Sequence, residues 1–436
     1  MPTSLLAIAK KARESRKHRF HNLYHLLNRT NLRACFHELR KKAAPGVDDV
    51  AWRDYESNLE ENLTNLVHAL KHGGYRARPT RRKFIPKSNG KMRPLGIPCV
   101  EDKIVQRAVA RILGAIYEED FLDVSFGYRP GKSPQAATKE LAQVLQFGPY
   151  GWIVEADLKG FFDSIDHEWL LRMLDLRIGD RQIMRLIRKW LHAGVLETDG
   201  KIVHPETGTP QGGIVSPILA NVYLHYALDV WFQHIVAPRC RGRAKLVRFA
   251  DDFTCAFQYH EDAVKFRRSL DNRLGKFSLA LAPEKTRVLQ FSRFRVGGES
   301  FDFLGFEFRP RGAKSRLGRY FVSFLPAVSK KAAKSIRSVI RGWRLHRLSD
   351  KSLLDLSRMF NPIIRGWINY YGSFYRSALY PLFDQLNRSL KKWAMRKYKR
   401  LRGRQRRAAY WLRRIRSQQP SLFSHWQLAS HLVAGR

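Results

Sequence analysis

The chain has 436 residues and carries 80 Lys and Arg against 38 Asp and Glu, a formal net charge of +42 at pH 7. That length supports two or three domains with a substantial core, and 44% hydrophobic with 12% aromatic residues excludes wholesale disorder. The charge exceeds what solubility requires, so a polyanionic partner is expected in place of a merely alkaline surface.

At the N-terminus, Met1 to Lys10 holds too short an apolar stretch, in the wrong charge order, for a signal peptide. Residues 1–44 read as a basic helical extension in which Leu23, Leu26, Leu27 and Leu32 recur at roughly helical spacing and pack into a core. Ala44-Pro-Gly-Val-Asp48 then punctuates the chain. A helical pattern runs from Trp52 to Leu70, followed by Gly73-Gly74 and a basic strand-like stretch from Arg76 to Pro86. Lys87 and Arg93 flank a Ser-Asn-Gly turn signal, so this stretch reads as a basic hairpin that holds either a ligand's phosphates or template phosphate.

Two acidic strand ends follow. In Trp152-Ile-Val-Glu-Ala-Asp157-Leu-Lys-Gly-Phe-Phe-Asp163 an apolar run meets Asp157 where the strand stops, and Phe161 reads as core. In Lys245-Leu-Val-Arg-Phe-Ala-Asp-Asp-Phe-Thr-Cys-Ala-Phe257 two apolar stretches flank Asp251 and Asp252, the pattern of a hairpin with carboxylates at its turn. Such hard oxygen donors suit Mg2+. Metal-assisted phosphoryl transfer uses two cations about 3.5–4 Å apart, a demand that three carboxylates from two strand ends meet. Neighbours on a regular strand point to opposite faces, so Asp252 joins Asp251 only if the turn twists both inward. Asp163 and Asp166 read as helix N-caps or surface acids.

Strands and helices alternate to about Phe308, an α+β reading with a mainly antiparallel sheet. After Pro310 the pattern turns helical, and residues 311–436 hold 30 Lys and Arg against three acids, Asp350, Asp355 and Asp384. Within this region Lys391, Lys392, Trp393, Arg396, Lys397, Tyr398, Arg400 and Arg404 interleave cations with rings, which suits phosphate neutralisation and base stacking. The competing reading is a solvated helix face with two buried aromatics. No run approaches the length of a membrane span. The four Cys lack Cys-x-x-Cys spacing, so no disulfide framework or zinc site is indicated and a reducing, cytoplasmic location is expected.

Taken in order, these segments resemble the group II intron-encoded reverse transcriptase/maturase family from about Pro45 to about Tyr371. The resemblance is carried by Ala44-Pro-Gly-Val-Asp48, Ile85 to Pro98, Ser125-Phe-Gly-Tyr-Arg-Pro-Gly131, Asp157 to Asp163 and Gly208-Thr-Pro-Gln-Gly-Gly213. It continues through Phe249-Ala-Asp-Asp252, Pro283-Glu-Lys-Thr286, Phe301-Asp-Phe-Leu-Gly305 and Arg365-Gly-Trp-Ile-Asn-Tyr-Tyr371. It implies a right-hand fingers and palm over residues 45–310, a helical thumb or maturase domain over 311–390 and a basic DNA-binding tail over 391–436. The implied activity is RNA-directed DNA synthesis from a DNA primer on an RNA template with deoxynucleoside triphosphates. Splicing support through the intron RNA, and retrohoming into target DNA, are implied with it.

By the same resemblance, Asp157, Asp251 and Asp252 are the catalytic ligands of two Mg2+ ions. Lys87 and Arg93 hold the nucleotide triphosphate, Phe162 is the steric gate against a ribose 2′-hydroxyl, and Gln211 lies in a loop at the nucleotide. Lys285 matches a lysine near the departing pyrophosphate, against a reading as plain surface charge. Two departures stand out. Phe249 occupies the place of a usual Tyr, which leaves metal binding intact, and only about 45 residues follow the thumb, so no His-Asn-His endonuclease domain is expected. The alternatives are a host-recruited reverse transcriptase in DNA repair or phage defence, an RNA-binding splicing cofactor with a vestigial polymerase centre, and a metal-dependent nuclease.

Overall fold

The computed structural model describes residues 3–86, 92–204, 206–209, 212–294, 298–314 and 317–430. They form two compact units, one of residues 1–137 and 149–289, the other of residues 138–148 and 290–436.

The chain opens with α1 (Thr3–Glu14), α2 (Arg29–His37), α3 (Trp52–Ser57) and α4 (Leu59–Lys71). A hairpin of β1 (Thr80–Pro86) and β2 (Met92–Ile97) precedes α5 (Val100–Tyr117), α6 (Pro134–Phe147) and β3 (Trp152–Asp157). Next come α7 (His167–Asp175), α8 (Arg181–Leu191), β4 (Val195–Leu196), β5 (Ile202–Val203), α9 (Ser216–Leu224) and α10 (Ala237–Arg239). Between α9 and α10 lie two widened π-helical turns, His225–Asp229 and Phe232–Val236. The unit closes with β6 (Ala244–Phe249), β7 (Asp252–Phe257), α11 (His260–Gly275) and β8 (Arg287–Gln290).

Two four-stranded sheets result, β2-β1-β4-β5 and β6-β7-β3-β8. The β1–β4 pair is parallel, whereas β1–β2, β4–β5, β3–β7 and β6–β7 are antiparallel. Helix α5 is buried over most of its surface, with Ile104, Val105, Val109, Leu113 and Ile116 fully buried and Asp102, Lys103 and Gln106 buried beside them. Leu23, Leu26, Leu27 and Leu32 are buried as the sequence indicates, and they share one core with α5 and the β6-β7-β3 strands. Buried Arg177 fastens this N-terminal segment: it donates to the carbonyls of Ala12, Ser15 and His18 at 3.2, 2.9 and 2.8 Å and pairs with Asp120 at 2.8 Å.

The second unit contains most of α6 and, from residue 290 on, β9 (Phe301–Phe303), β10 (Phe306–Phe308), β11 (Arg311–Lys314), β12 (Tyr320–Ser323) and β13 (Ala327–Val328). Phe301, Phe303, Phe306 and Phe308 are all buried. Helices α12 (Lys330–Gly342), α13 (Leu353–Tyr371), α14 (Tyr380–Lys397), α15 (Gln405–Gln418) and α16 (Ser424–Ser430) follow. The helical region thus starts at Lys330 and not at 311, because the strand formers Tyr320, Phe321 and Val322 pair with β11 as an antiparallel hairpin. Ser329 caps α12, and Ser352 with Asp355 forms a capping box on α13. Leu382, Leu386, Leu390 and Trp393 form the buried stripe of α14. Among the described residues, no helix is long and apolar enough to cross a membrane.

Candidate active site

The acidic hairpin forms as its sequence indicates. Strands β6 and β7 pair from Ala244↔Phe257 to Phe249↔Asp252, leaving Ala250 and Asp251 as a two-residue turn. Ala250 takes a φ of 56° and Asp251 does not go positive, the pattern of a II′ hairpin, in which glycine is the usual first residue. Strand β7 also pairs with β3, which sets Asp157 and Asp252 directly opposite each other and therefore on one face. Asp251 escapes strand alternation because it belongs to the turn. Burial, above all, raises its carboxyl above the usual carboxylate range; the Asp157 charge adds to this, while its own backbone amide, Arg93 and Arg248 oppose it. Asp157 and Asp251 therefore sense each other's charge.

The turn rests on Arg248, Asp229 and Asn221, to which the sequence motifs give no role, and on Ser125 and Gly127 of the Ser125–Gly131 motif. Arg248 and Asp229 are fully buried and ion-paired; Nε donates to Asp229 Oδ1 at 2.7 Å and Nη2 donates to Oδ2. Nη1 donates to the Ala250 carbonyl at 2.9 Å and to Asn221 Oδ1 at 3.2 Å, and Nη2 donates to Ser125 Oγ at 2.8 Å. Asn221 donates onward to the Gly127 carbonyl at 2.7 Å. Gly127 lies so close that a Cβ there would stand 2.2 Å from the Ala250 nitrogen. The signal available in sequence was an arginine inside an apolar strand, Leu246-Val-Arg-Phe249.

Lys285 ends the 3-10 turn Pro283–Lys285, and its ammonium pairs with Asp157 Oδ2. The backbone explains the placement: Lys159 N donates to Ala280 O at 2.9 Å and Ala282 N to Asp157 O at 2.8 Å, so the 280–282 segment runs alongside the end of β3. Arg93 stands on β2 opposite Ile85, and its charge is felt at Asp251 and Tyr128. Tyr128, in the Ser125–Gly131 motif, has a φ of 57° and feels the Asp251 charge as well. Lys87 and Gln211 lie outside the described residues.

Phe162 is half-buried and Phe161 fully so, their rings meeting edge to face at 5.3 Å. The Phe162 carbonyl accepts from Thr209 N at 2.8 Å, and Gly208 N donates to Ile165 O at 2.7 Å. The far side of the same Gly-rich loop is tied as well. Ile214 N donates to Gln106 on α5 at 2.9 Å, and Gly212, with a φ of 118°, approaches Gly96 of β2 so closely that a Cβ would stand 2.5 Å from its carbonyl oxygen. Asp163 is exposed, and Asp166 caps α7 through Trp169 N.

In the second unit the basic cluster divides. Lys392, Arg396, Arg400 and Arg404 are exposed, and Lys391 and Lys397 are half-buried. Trp393 is fully buried, its indole N–H donates to Leu348 O at 2.9 Å, and it packs with Tyr398 and Trp411. The expected base-stacking role of Trp393 is therefore corrected to a core role, since no ring face is open. Tyr398 is half-buried and turned toward Trp393 and Trp411.

Among the described residues, no three His, Cys, Asp or Glu side chains come together as a ready ligand set for a metal ion. The donors nevertheless fit Mg2+ in kind: they are carboxylate oxygens, Asp157 and Asp251 repel one another, and Asp157 already draws the Lys285 ammonium.

Residues 85–308 match the family described as reverse transcriptase (RNA-dependent DNA polymerase), and residues 333–411 match the group II intron, maturase-specific domain. The chain is 40% identical over 220 residues to the group II intron-encoded protein LtrA of Lactococcus lactis subsp. cremoris, covering 50% of this chain but 36% of that protein. It is 32% identical over 344 residues to protein YkfC of Escherichia coli (strain K12), covering 71% of this chain and 87% of that protein. A putative COX1/OXI3 intron 1 protein of Saccharomyces cerevisiae is 34% identical over 183 residues, 42% of this chain and 22% of that protein. With both domain types matched in order, and YkfC aligned over most of its length, the chain belongs to the group II intron reverse transcriptase/maturase family.

Proposed function

We propose that the chain is an RNA-directed DNA polymerase that extends a DNA primer on an RNA template with deoxynucleoside triphosphates. We propose further that it binds its intron RNA as a splicing maturase and supports retrohoming by target-primed reverse transcription. The observation that carries the polymerase reading is the placement of Asp157 opposite Asp252, with Asp251 on the adjoining turn and the charges of Lys285 and Arg93 acting on that group. The match of residues 333–411 supports the maturase reading.

Asp157, Asp251 and Asp252 would hold two Mg2+ ions, which when bound make a primer 3′-hydroxyl a better nucleophile and neutralise charge on the leaving oxygen. Lys285, on an exposed side chain, moves from Asp157 to the departing pyrophosphate. Arg93, with Lys87, neutralises the triphosphate. Phe162, fixed through its carbonyl to Thr209, sets a ring against a ribose 2′-hydroxyl, and Gln211 orients the nucleotide. Lys391, Lys392, Arg396, Lys397, Arg400 and Arg404 supply phosphate contacts to intron RNA or target DNA, and Tyr398 lies beside them.

The test is primer extension on an RNA template with deoxynucleotides and Mg2+, run with wild type and Asp251→Ala, alongside RNA binding by both. Synthesis by wild type alone, with equal RNA affinity, supports the reading. Absence of synthesis by folded, RNA-binding wild type would replace the polymerase with an RNA-binding splicing cofactor.

A further inference from the structure

We infer that the buried Arg248–Asp229 pair is the positioning device for the turn that carries Asp251 and leads into Asp252. The function of that turn rests on the polymerase reading; the way it is held does not.

A guanidinium has five N–H donors in a rigid plane. In Arg248 all five are used, on Asp229 twice, Asn221, Ser125 and the Ala250 carbonyl. Four of these acceptors belong to other segments: the π-helical turn His225–Asp229, α9 and the Ser125–Gly131 loop. The fifth is the carbonyl of the residue whose φ of 56° creates the turn. The backbone of Arg248 is also held on both sides, its N–H donating to Val124 O and its carbonyl accepting from Phe126 N, each at 2.8 Å. A single side chain therefore ties the turn both to the continuous α9 and π-helical segment and to the Ser125–Gly131 loop 123 residues upstream, and fixes the carbonyl immediately before Asp251.

The chemistry of the acceptors requires arginine. A lysine ammonium keeps the charge but concentrates three donors at one point, so it cannot reach Asp229, Ser125, Asn221 and Ala250 together. The π-helical turn has a matching purpose: widened turns recur at functional sites, and here one delivers Asp229, with no solvent exposure, to the guanidinium. Misplacement of reacting groups by about 1 Å costs about 100-fold in rate, so a loosened turn impairs chemistry before it impairs binding.

The experiment compares wild type, Arg248→Lys and Ser125→Ala. Amide hydrogen exchange is followed over the 249–253 segment and over α5 in metal-free protein, together with kcat, KM for deoxynucleotide and template–primer affinity. The expected result for Arg248→Lys is faster exchange confined to 249–253, with kcat lower by about 100-fold while KM and affinity stay within about threefold. Ser125→Ala, which removes one acceptor and leaves the ion pair, gives the same pattern more weakly and decides the matter if Arg248→Lys does not fold. Unchanged exchange at 249–253, exchange rising equally throughout the unit, or unchanged kcat with a loosened turn would overturn the inference. If wild type makes no DNA, the polymerase reading fails, and exchange alone still decides whether Arg248 holds the turn.

Discussion

Asp157 and Asp252 stand directly opposite each other on β3 and β7, at the last rung before the turn that carries Asp251. Like charges so opposed weaken a sheet, and Asp251 is pushed up by its own burial and by the Asp157 charge. Without a cation the group is therefore a local weakness in an otherwise regular hairpin. Asp251→Asn should stabilise metal-free protein by about 0.5–1 kcal/mol while abolishing DNA synthesis. Thermal melts in a chelator, paired with primer extension, check both halves.

Gly127 offers a steric test of the same turn. A Cβ at this position would stand 2.2 Å from the Ala250 nitrogen and 2.9 Å from its Cα, which are backbone atoms that cannot rotate away. Gly127→Ala should cost about 1–3 kcal/mol of stability through overpacking and lower kcat by about 100-fold, with RNA affinity retained. Urea unfolding and steady-state kinetics measure the two effects separately.

Aromatic and cationic residues of the basic cluster should respond differently to mutation. Trp393 is core, so Trp393→Ala should destabilise the second unit by about 3–5 kcal/mol. Replacing exposed Lys392, Arg396, Arg400 and Arg404 by Gln should leave stability nearly unchanged and flatten the dependence of nucleic-acid affinity on salt, because fewer counterions are released. Affinity titrations across a salt series test this, and an unchanged slope would remove the cluster as a phosphate contact.

Acid should weaken the second unit through His425. This ring is held down to about 3, first by burial and then by the nearby Arg416 charge, and it meets Asn387 Oδ1 through Nε2 at 2.9 Å. In the unfolded chain the group titrates near 6.5. Between those values only the unfolded chain takes up the proton, so the contribution is intact above pH 6.5 and is lost as pH falls toward 3. The slope is at most about 1.4 kcal/mol per pH unit. His425→Gln should melt with a shallower loss between about pH 7 and about pH 4.5.

The acidic hairpin was legible because its grammar is local: two strand-forming runs with acids between them permit little else. Asp166 as a cap and Phe161 as core were legible for the same reason. Arg248 was not, since its partners are set by a π-helical turn 19 residues upstream and by a loop 123 residues upstream, separations that no short-range periodicity encodes. Trp393 carries a core signal of its own, three positions after Leu390 on the stripe of Leu382, Leu386 and Leu390. The run of cations around it masks that helical spacing. The hairpin of β11 and β12 is hidden in the sequence because basic composition obscures the strand formers Tyr320, Phe321 and Val322.

Arg177 also bears on how the protein is made. The carbonyls it caps, on Ala12, Ser15 and His18, precede it by 165, 162 and 159 residues. Leu5 and Ala12, buried in the finished unit, emerge from the ribosome long before the residue that secures their helix. During translation α1 can therefore meet its main packing partner, α5, well before Arg177 is made, and the polar clasp on the end of the helix closes last. A fragment that ends before Arg177 would keep the α1–α5 packing partner but leave the carbonyls of Ala12, Ser15 and His18 without their guanidinium donor.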